Sequence, residues 1–280
     1  MNNIPEKIGP FNLDKSASTM KYGFYYKALL GVPFSKEKRA IRVWLPEDYD
    51  FNNPDKVFPV IYFSDGQNLV NKKLCAFGCW KLDIIAHELL INRGLSFIAV
   101  GIDSPKDSLV RFNELNPPYI PERVKEGHPY GDQFVNYIAD ILIPLINKYF
   151  FTSKNKKDTA IGGSSMGGIM AFYAGATRHD TFGFALNFSP AFFLYYKKTW
   201  SSLLDSFNIS PNHQVKHFFY VGGKDFEKRF LNPTKETYRY LKKKGFAEKQ
   251  TTLSIDLKEI HHEHAWHKHL KEALLFWLDE

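Results

Sequence analysis

Residues 162–168 read GGSSMGG and contain G-x-S-x-G, with Ser165 at the centre and Gly163 and Gly167 on either side. A serine that acts as a nucleophile must stand proud of a sheet, on a sharp turn between a strand and a helix. Side chains two residues to either side would collide there, so glycine is used. The flanks fit: residues 158–161, DTAI, read as a short strand, and residues 166–174, MGGIMAFYA, as the helix that follows. The start of that helix offers free N–H groups and the positive end of a dipole to a developing oxyanion. The plain alternative is a glycine-rich turn with incidental serines. The strand before it and the helix after it favour the nucleophile.

A serine hydroxyl at neutral pH needs a base. Five of the ten histidines lie in residues 260–269, IHHEHAWHKH, directly after the last strand-like stretch and at the mouth of the last helix. With the chain order Ser, acid, His, the histidine comes from this loop, where His261, His262 and His264 all fit. His267 and His269 read as surface residues already inside the helix. The acid should follow the penultimate strand, residues 217–223, HFFYVGG. Asp225 follows that glycine turn directly and is the expected acid, with Glu227 as the substitute. A carboxylate there would hold the imidazole tautomer and stabilise the imidazolium. The oxyanion hole needs two main-chain donors. One is the N–H of Met166, next to the serine. The other is expected from the tight turn 65–68, DGQN, after the apolar strand 58–64, which points to the N–H of Gln67.

The elements that must position these groups are legible as patterns. Strand-like stretches fall at 22–30, 39–45, 58–64, 96–102, 158–162, 184–188, 217–222 and 251–257. Helical patterns fall at 82–92, 131–149, 166–176, 233–244 and 265–278. Strands in succession and then strands alternating with helices predict one α/β domain over residues 1–280, with residues 1–20 as an N-terminal extension. The sheet should be mostly parallel, covered on both faces by helices, with antiparallel strands at its N-terminal edge. Such sheets place ligands beyond the carboxyl ends of their strands, where Ser165 would sit.

The chain has 280 residues, 44% hydrophobic and 24% charged, which is ordinary for a globular protein. Its net charge of +7 is scattered, so a nucleic-acid stripe is not expected. Aromatic residues make up 16%, enough for an aromatic core or an aromatic-lined pocket. No apolar stretch near the start resembles a leader and none is long enough to span a bilayer. The two cysteines, Cys75 and Cys79, exclude a disulfide framework and read as free thiols. Together these features predict a cytoplasmic protein with no membrane or nucleic-acid partner.

With the parts placed, the chain resembles the "putative esterase" branch of the α/β-hydrolases over roughly residues 20–280. That branch includes enterochelin-esterase-like enzymes, feruloyl and acetylxylan esterases, S-formylglutathione hydrolases and mycolyl transferases. The marks are YFSDGQN at 62–68, WKLD at 80–83, AVGID at 99–103, Arg111 with Glu114, GSSMGG at 163–168, FSP at 188–190 and HAW at 264–266. The resemblance implies an α/β-hydrolase fold and a serine carboxylic-ester hydrolase that forms an acyl-enzyme on Ser165. Its substrate would be a small-molecule ester, with no cofactor and no metal. It also implies His264 as the base, because the family histidine commonly precedes x-Trp, and Gln67 as the residue after Asp-Gly that supplies an oxyanion N–H. Ser64 departs from the His or Leu common before that Asp-Gly, and the CAFGC stretch at 75–79 has no assigned role. An acyltransferase would use the same acyl-enzyme. A metal protein built on the histidine cluster is disfavoured because HEHAW at 262–266 is not H-E-x-x-H. A non-catalytic protein of the same fold should have lost a triad member, and all three types are present.

Overall fold

The computed structural model describes residues 4–75 and 77–279. Its strands are β1 (Lys7–Ile8), β2 (Phe11–Leu13), β3 (Phe24–Val32), β4 (Ser35–Leu45), β5 (Val60–Ser64), β6 (Ile98–Ile102), β7 (Thr159–Ser164), β8 (Phe184–Phe188), β9 (Lys216–Gly222) and β10 (Thr251–Asp256). They form one sheet in the order β1-β2-β3-β4-β6-β5-β7-β8-β9-β10. The first four strands pair antiparallel, β4 joins β6 antiparallel, and every pairing from β6 to β10 is parallel. Residues 7–13, assigned from the sequence to an N-terminal extension, are strands at the edge of the same sheet.

The helices are α1 (Leu82–Arg93), α2 (Ser108–Glu114), α3 (Gly131–Tyr137), α4 (Ile143–Tyr149), α5 (Met166–Thr177), α6 (Lys197–Ser206), α7 (Lys228–Lys243) and α8 (Glu263–Leu278). The expected helix 131–149 is interrupted by a π-helical turn at Ile138–Leu142. Alternation along the central strands divides the core between the two faces of the sheet. Phe219 and Val221 of β9 pack with Phe172 of α5 and Phe230 of α7. Their neighbours Phe218 and Tyr220 pack with Leu82 of α1 and Trp266 and Leu270 of α8. Strands covered on both faces need apolar residues at every position, and β5, β6 and β8 are buried throughout. Among the described residues no helix is long and apolar enough to cross a membrane.

The core also holds a titratable histidine. His217 of β9 is 1% exposed and packs against Phe172, Phe219 and Phe246. Its Nδ1 has no hydrogen-bond partner among the described residues. Burial pushes its pKa down to about 3, so the ring is neutral when folded. The unfolded chain takes up a proton near pH 6.5 while the folded chain does not. The stability this neutral ring allows is present above about pH 6.5 and is lost as the pH falls toward 3. Urea unfolding between about pH 6.5 and 4.5 is expected to show a contribution from His217 of about 1.4 kcal/mol per pH unit. The His217→Leu variant should have a shallower pH slope by about that amount; an unchanged slope would show that the histidine is protonated in the folded chain.

Candidate active site

Ser165 has φ 58° and ψ −118°, a conformation that a non-glycine residue adopts only when its surroundings impose it. Here they do. Its N–H donates to the Phe188 carbonyl at 2.9 Å, and its carbonyl accepts from Gly168, Ile169 and Ala191 at 3.1, 3.2 and 3.0 Å. These bonds tie the turn to the end of β8 on one side and to the first turn of α5 on the other. The flanking glycines allow the approach. A Cβ on Gly163 would lie 2.5 Å from Ser64 Oγ, and one on Gly167 would lie 2.2 Å from the same atom. Met166 is the first residue of α5, where amide groups have no acceptor within the helix.

Beyond β9 a buried carboxylate, that of Glu227, meets a histidine. Glu227 has 0% exposure, at the end of a 3-10 turn, Asp225–Glu227, that follows β9. Its Oε2 lies 2.5 Å from His261 Nδ1. Its Oε1 accepts from Ser189 Oγ at 2.5 Å and from the Gly222 N–H at 2.9 Å. The indole Nε1 of Trp266 donates to Ser189 Oγ at 3.0 Å and completes the network. The His261 ring stacks on Phe230 at 4.3 Å and meets Trp266 edge-on at 5.1 Å. Packing and the carboxylate together fix its orientation.

Asp225 and His264, singled out from the sequence, are both exposed and lie apart from this network. Asp225 opens the 3-10 turn with φ 54°, and among the described residues nothing pairs with its carboxylate. The turn sends side chains two positions apart in opposite directions, which puts Glu227 inside. His264 lies on the first turn of α8; its N–H donates to His262 Nδ1, the cap of that helix. The loop after β10 carries its histidine to the carboxylate three residues before the position expected from the x-Trp pattern. Trp266 points to the same network from the helix.

Gln67 lies in a 3-10 turn, Gly66–Asn68, directly after β5. Asp65 enters this turn with φ 54°, and Arg111 of α2 grips its carboxylate with two bonds of 2.7 and 2.6 Å. Gly66 is pressed against Gly101 of β6, where a Cβ would meet backbone at 2.4 Å. The Gln67 side chain is held by Ser104, donating to its hydroxyl at 2.7 Å and accepting from its N–H at 3.0 Å. That leaves the main-chain N–H as the group this turn can offer. Cys75 donates to the Asn71 and Gln67 carbonyls at 3.3 and 3.6 Å, and Cys79 to the Leu69 carbonyl at 3.7 Å. Both are free thiols that buttress the same loop. Arg111 and Glu114, read together from the sequence, pair with different partners: Glu114 binds Arg39 at 2.6 Å. Glu263, which sequence reasoning passed over, is buried at the start of α8, and burial pushes its carboxyl pKa up. No group of three or more His, Cys, Asp or Glu among the described residues could hold a metal ion.

A strained serine between strand and helix and a buried carboxylate–imidazole pair lie beyond the carboxyl ends of the parallel strands of a helix-covered sheet, the α/β-hydrolase architecture. The model of the family described as "Putative esterase" matches residues 34–277, and the chain belongs to that family, as a carboxylic-ester hydrolase. It is 22% identical over 242 residues to the uncharacterized protein YbbA of Bacillus subtilis, covering 84% of this chain and 91% of that one. A siderophore enterobactin esterase of Emericella nidulans is 32% identical over 109 residues, 35% of this chain and 36% of that one. Among solved structures, a ferulic acid esterase superposes with TM-score 0.69 at 18% identity, covering 92% of this chain and 98% of that chain. The siderophore hydrolase EstB of Aspergillus nidulans superposes with TM-score 0.67 at 20% identity, covering 91% and 95%.

Removing Arg111 leaves the largely buried Asp65 carboxylate without its cation. The Arg111→Ala variant should lose about 2 kcal/mol in urea unfolding. Its esterase kcat should fall by up to about 10²-fold, because the turn it anchors is no longer held in place. An unchanged kcat would separate the ion pair from the geometry of the site.

Proposed function

We propose that this protein hydrolyses carboxylic esters through an acyl-enzyme on Ser165, with His261 as base and Glu227 as acid. The observation that carries this reading is the 2.5 Å bond between Glu227 and His261 Nδ1. With Nδ1 occupied, Nε2 is the nitrogen left to take the Ser165 proton. As Oγ bonds to the ester carbon, the main-chain N–H groups of Met166 and Gln67 receive the oxyanion. The imidazolium, stabilised by Glu227, then protonates the departing alcohol as the C–O bond breaks. Water repeats the sequence on the acyl-enzyme: His261 takes its proton, the acid is released, and Ser165 recovers its hydrogen. The chain acts as one catalytic domain on a small ester and uses no cofactor. Relatives named for siderophore and ferulic acid esters make aryl-bearing esters the first to assay. Two free thiols are in keeping with a cytoplasmic setting.

Ser165→Ala and His261→Ala should each lower kcat on a chromogenic ester by up to about 10⁶-fold, by analogy with subtilisin. Glu227→Gln should cost up to about 10⁴-fold, by analogy with the same change in trypsin, because an amide mis-sets the tautomer. Asp225→Asn and His264→Ala should stay close to the parent. Circular dichroism would confirm that each variant is folded. Activity lost in His264→Ala and kept in His261→Ala would move the base to His264. The corresponding result for Asp225→Asn and Glu227→Gln would move the acid to Asp225.

A further inference from the structure

The two cysteines of the chain lie in the segment that follows the Gly66–Asn68 turn, and their sulfurs are bonded back toward it. Cys75 Sγ donates to the Gln67 carbonyl at 3.6 Å and to the Asn71 carbonyl at 3.3 Å, and Cys79 Sγ donates to the Leu69 carbonyl at 3.7 Å. The main chain just beyond Cys79 continues the attachment. The Trp80 N–H donates to the Asn68 carbonyl at 2.9 Å and the Leu82 N–H to the Leu69 carbonyl at 3.0 Å. Gln67, the proposed oxyanion donor, therefore has a thiol on its own carbonyl, and the two residues after it are stitched to the chain around Cys79.

The two thiols also meet each other. A hydrogen bond from Cys75 favours the Cys79 thiolate; with the Lys81 main chain and the Lys72 charge it lowers the Cys79 pKa against the opposing effect of burial. Cys75 and Cys79 line one open cavity of about 290 Å³, together with Lys72, Lys81, His262 and His264. A thiolate-prone sulfur beside a second thiol, at a cavity flanked by lysines, is the setting in which cysteine is oxidised selectively. Cysteines that served packing alone would be closed off in apolar surroundings, where burial raises the thiol pKa and keeps the sulfur inert.

We infer that Cys75 and Cys79 are a redox modification site for a low-molecular-weight disulfide such as glutathione disulfide, and that their oxidation slows ester hydrolysis through the Gln67 turn. The effect on hydrolysis rests on the proposed roles of Gln67 and Ser165; the thiol chemistry does not. The Cys79 thiolate attacks one sulfur of glutathione disulfide, and the first glutathione leaves as a thiolate that takes up the proton Cys79 released. Cys75 then gives up its proton and attacks the Cys79 sulfur, and the second glutathione leaves and takes up that proton. The protein has lost two hydrogens, and glutathione disulfide has been reduced to two glutathione thiols. The new bond draws the sulfurs closer than any hydrogen bond between them and removes both S–H donors. The Gln67 and Leu69 carbonyls lose their thiol partners, and the Gln67 N–H is displaced. Excess glutathione thiol reverses both steps.

The test equilibrates the full-length protein in mixtures of glutathione and glutathione disulfide of stepped ratio. Intact mass after alkylation of free thiols reports the disulfide, and hydrolysis of a chromogenic ester gives kcat. At the oxidising end the protein is expected to have lost two hydrogens and to take up no alkylating agent. Its kcat should be about 10- to 100-fold below that of the reduced protein, because an oxyanion donor is displaced, and dithiothreitol should restore it. The Cys75→Ser/Cys79→Ser double variant has no thiol left and should give one kcat in every mixture. Thiols that stay alkylatable at the oxidising end, a disulfide with unchanged kcat, or a double variant that responds like the parent would each overturn the inference. Failure of the esterase reading looks different: the reduced protein would lack hydrolysis that depends on Ser165, while the mass measurement would still decide whether the two cysteines are the redox site.

Discussion

Glu227 has no exposure to solvent, yet its carboxylate sits where three chain segments meet. A charge buried in this way is tolerated only when hydrogen bonds replace the water it has lost. Here the donors are Ser189 just past β8, Gly222 at the end of β9, and His261 on the loop after β10. Trp266 of α8 locks Ser189 from behind. Each of these segments is therefore placed by the same pair of oxygens. The serine turn joins the assembly through the main chain, because Ser165 binds Phe188 and Ala191 on either side of Ser189.

A second set of charges holds the opposite wall. Arg39 binds Glu114, Arg42 binds Asp103 at 2.7 Å, and Arg111 binds Asp65. Paired charges in such a setting add little net stability, since desolvation offsets much of their attraction; what they supply here is direction. The Arg111 fork can meet Asp65 only in one orientation, and that orientation sets the left-handed entry to the Gly66–Asn68 turn. Two polar networks, one on each side of the serine, thus stand in for the rigidity that loops lack by themselves.

The aromatic residues serve two purposes that composition leaves open between core and pocket. Phe172, Phe218, Phe219 and Tyr220 fill the layers on the two faces of the sheet. A separate line runs from His261 through Phe230 to Phe193 and reaches a cavity beside α7. Phe230 thus joins the imidazole to Phe193, which lines that cavity.

Much was legible in the chain alone. The alternation of strands and helices indicated a mostly parallel sheet with an antiparallel N-terminal edge, because hydrophobic period and turn residues are local properties. GGSSMGG marked the strand–turn–helix at Ser165, because only glycine tolerates the contacts around it. The turn after β5 was equally visible in Asp65-Gly66. Two kinds of information were missing. Short edge strands such as Lys7–Ile8 carry too few residues for a pattern and exist only by pairing with neighbours. Which histidine and which carboxylate meet each other also lay beyond local signals. His261 and His264 are three residues apart, and Asp225 and Glu227 two, so each pair satisfies the same order of motifs. Which member turns inward depends on the loop after β10 and the 3-10 turn after β9. Those were decided when the buried Glu227 found its donors on three separate segments, a condition that only the tertiary structure can meet.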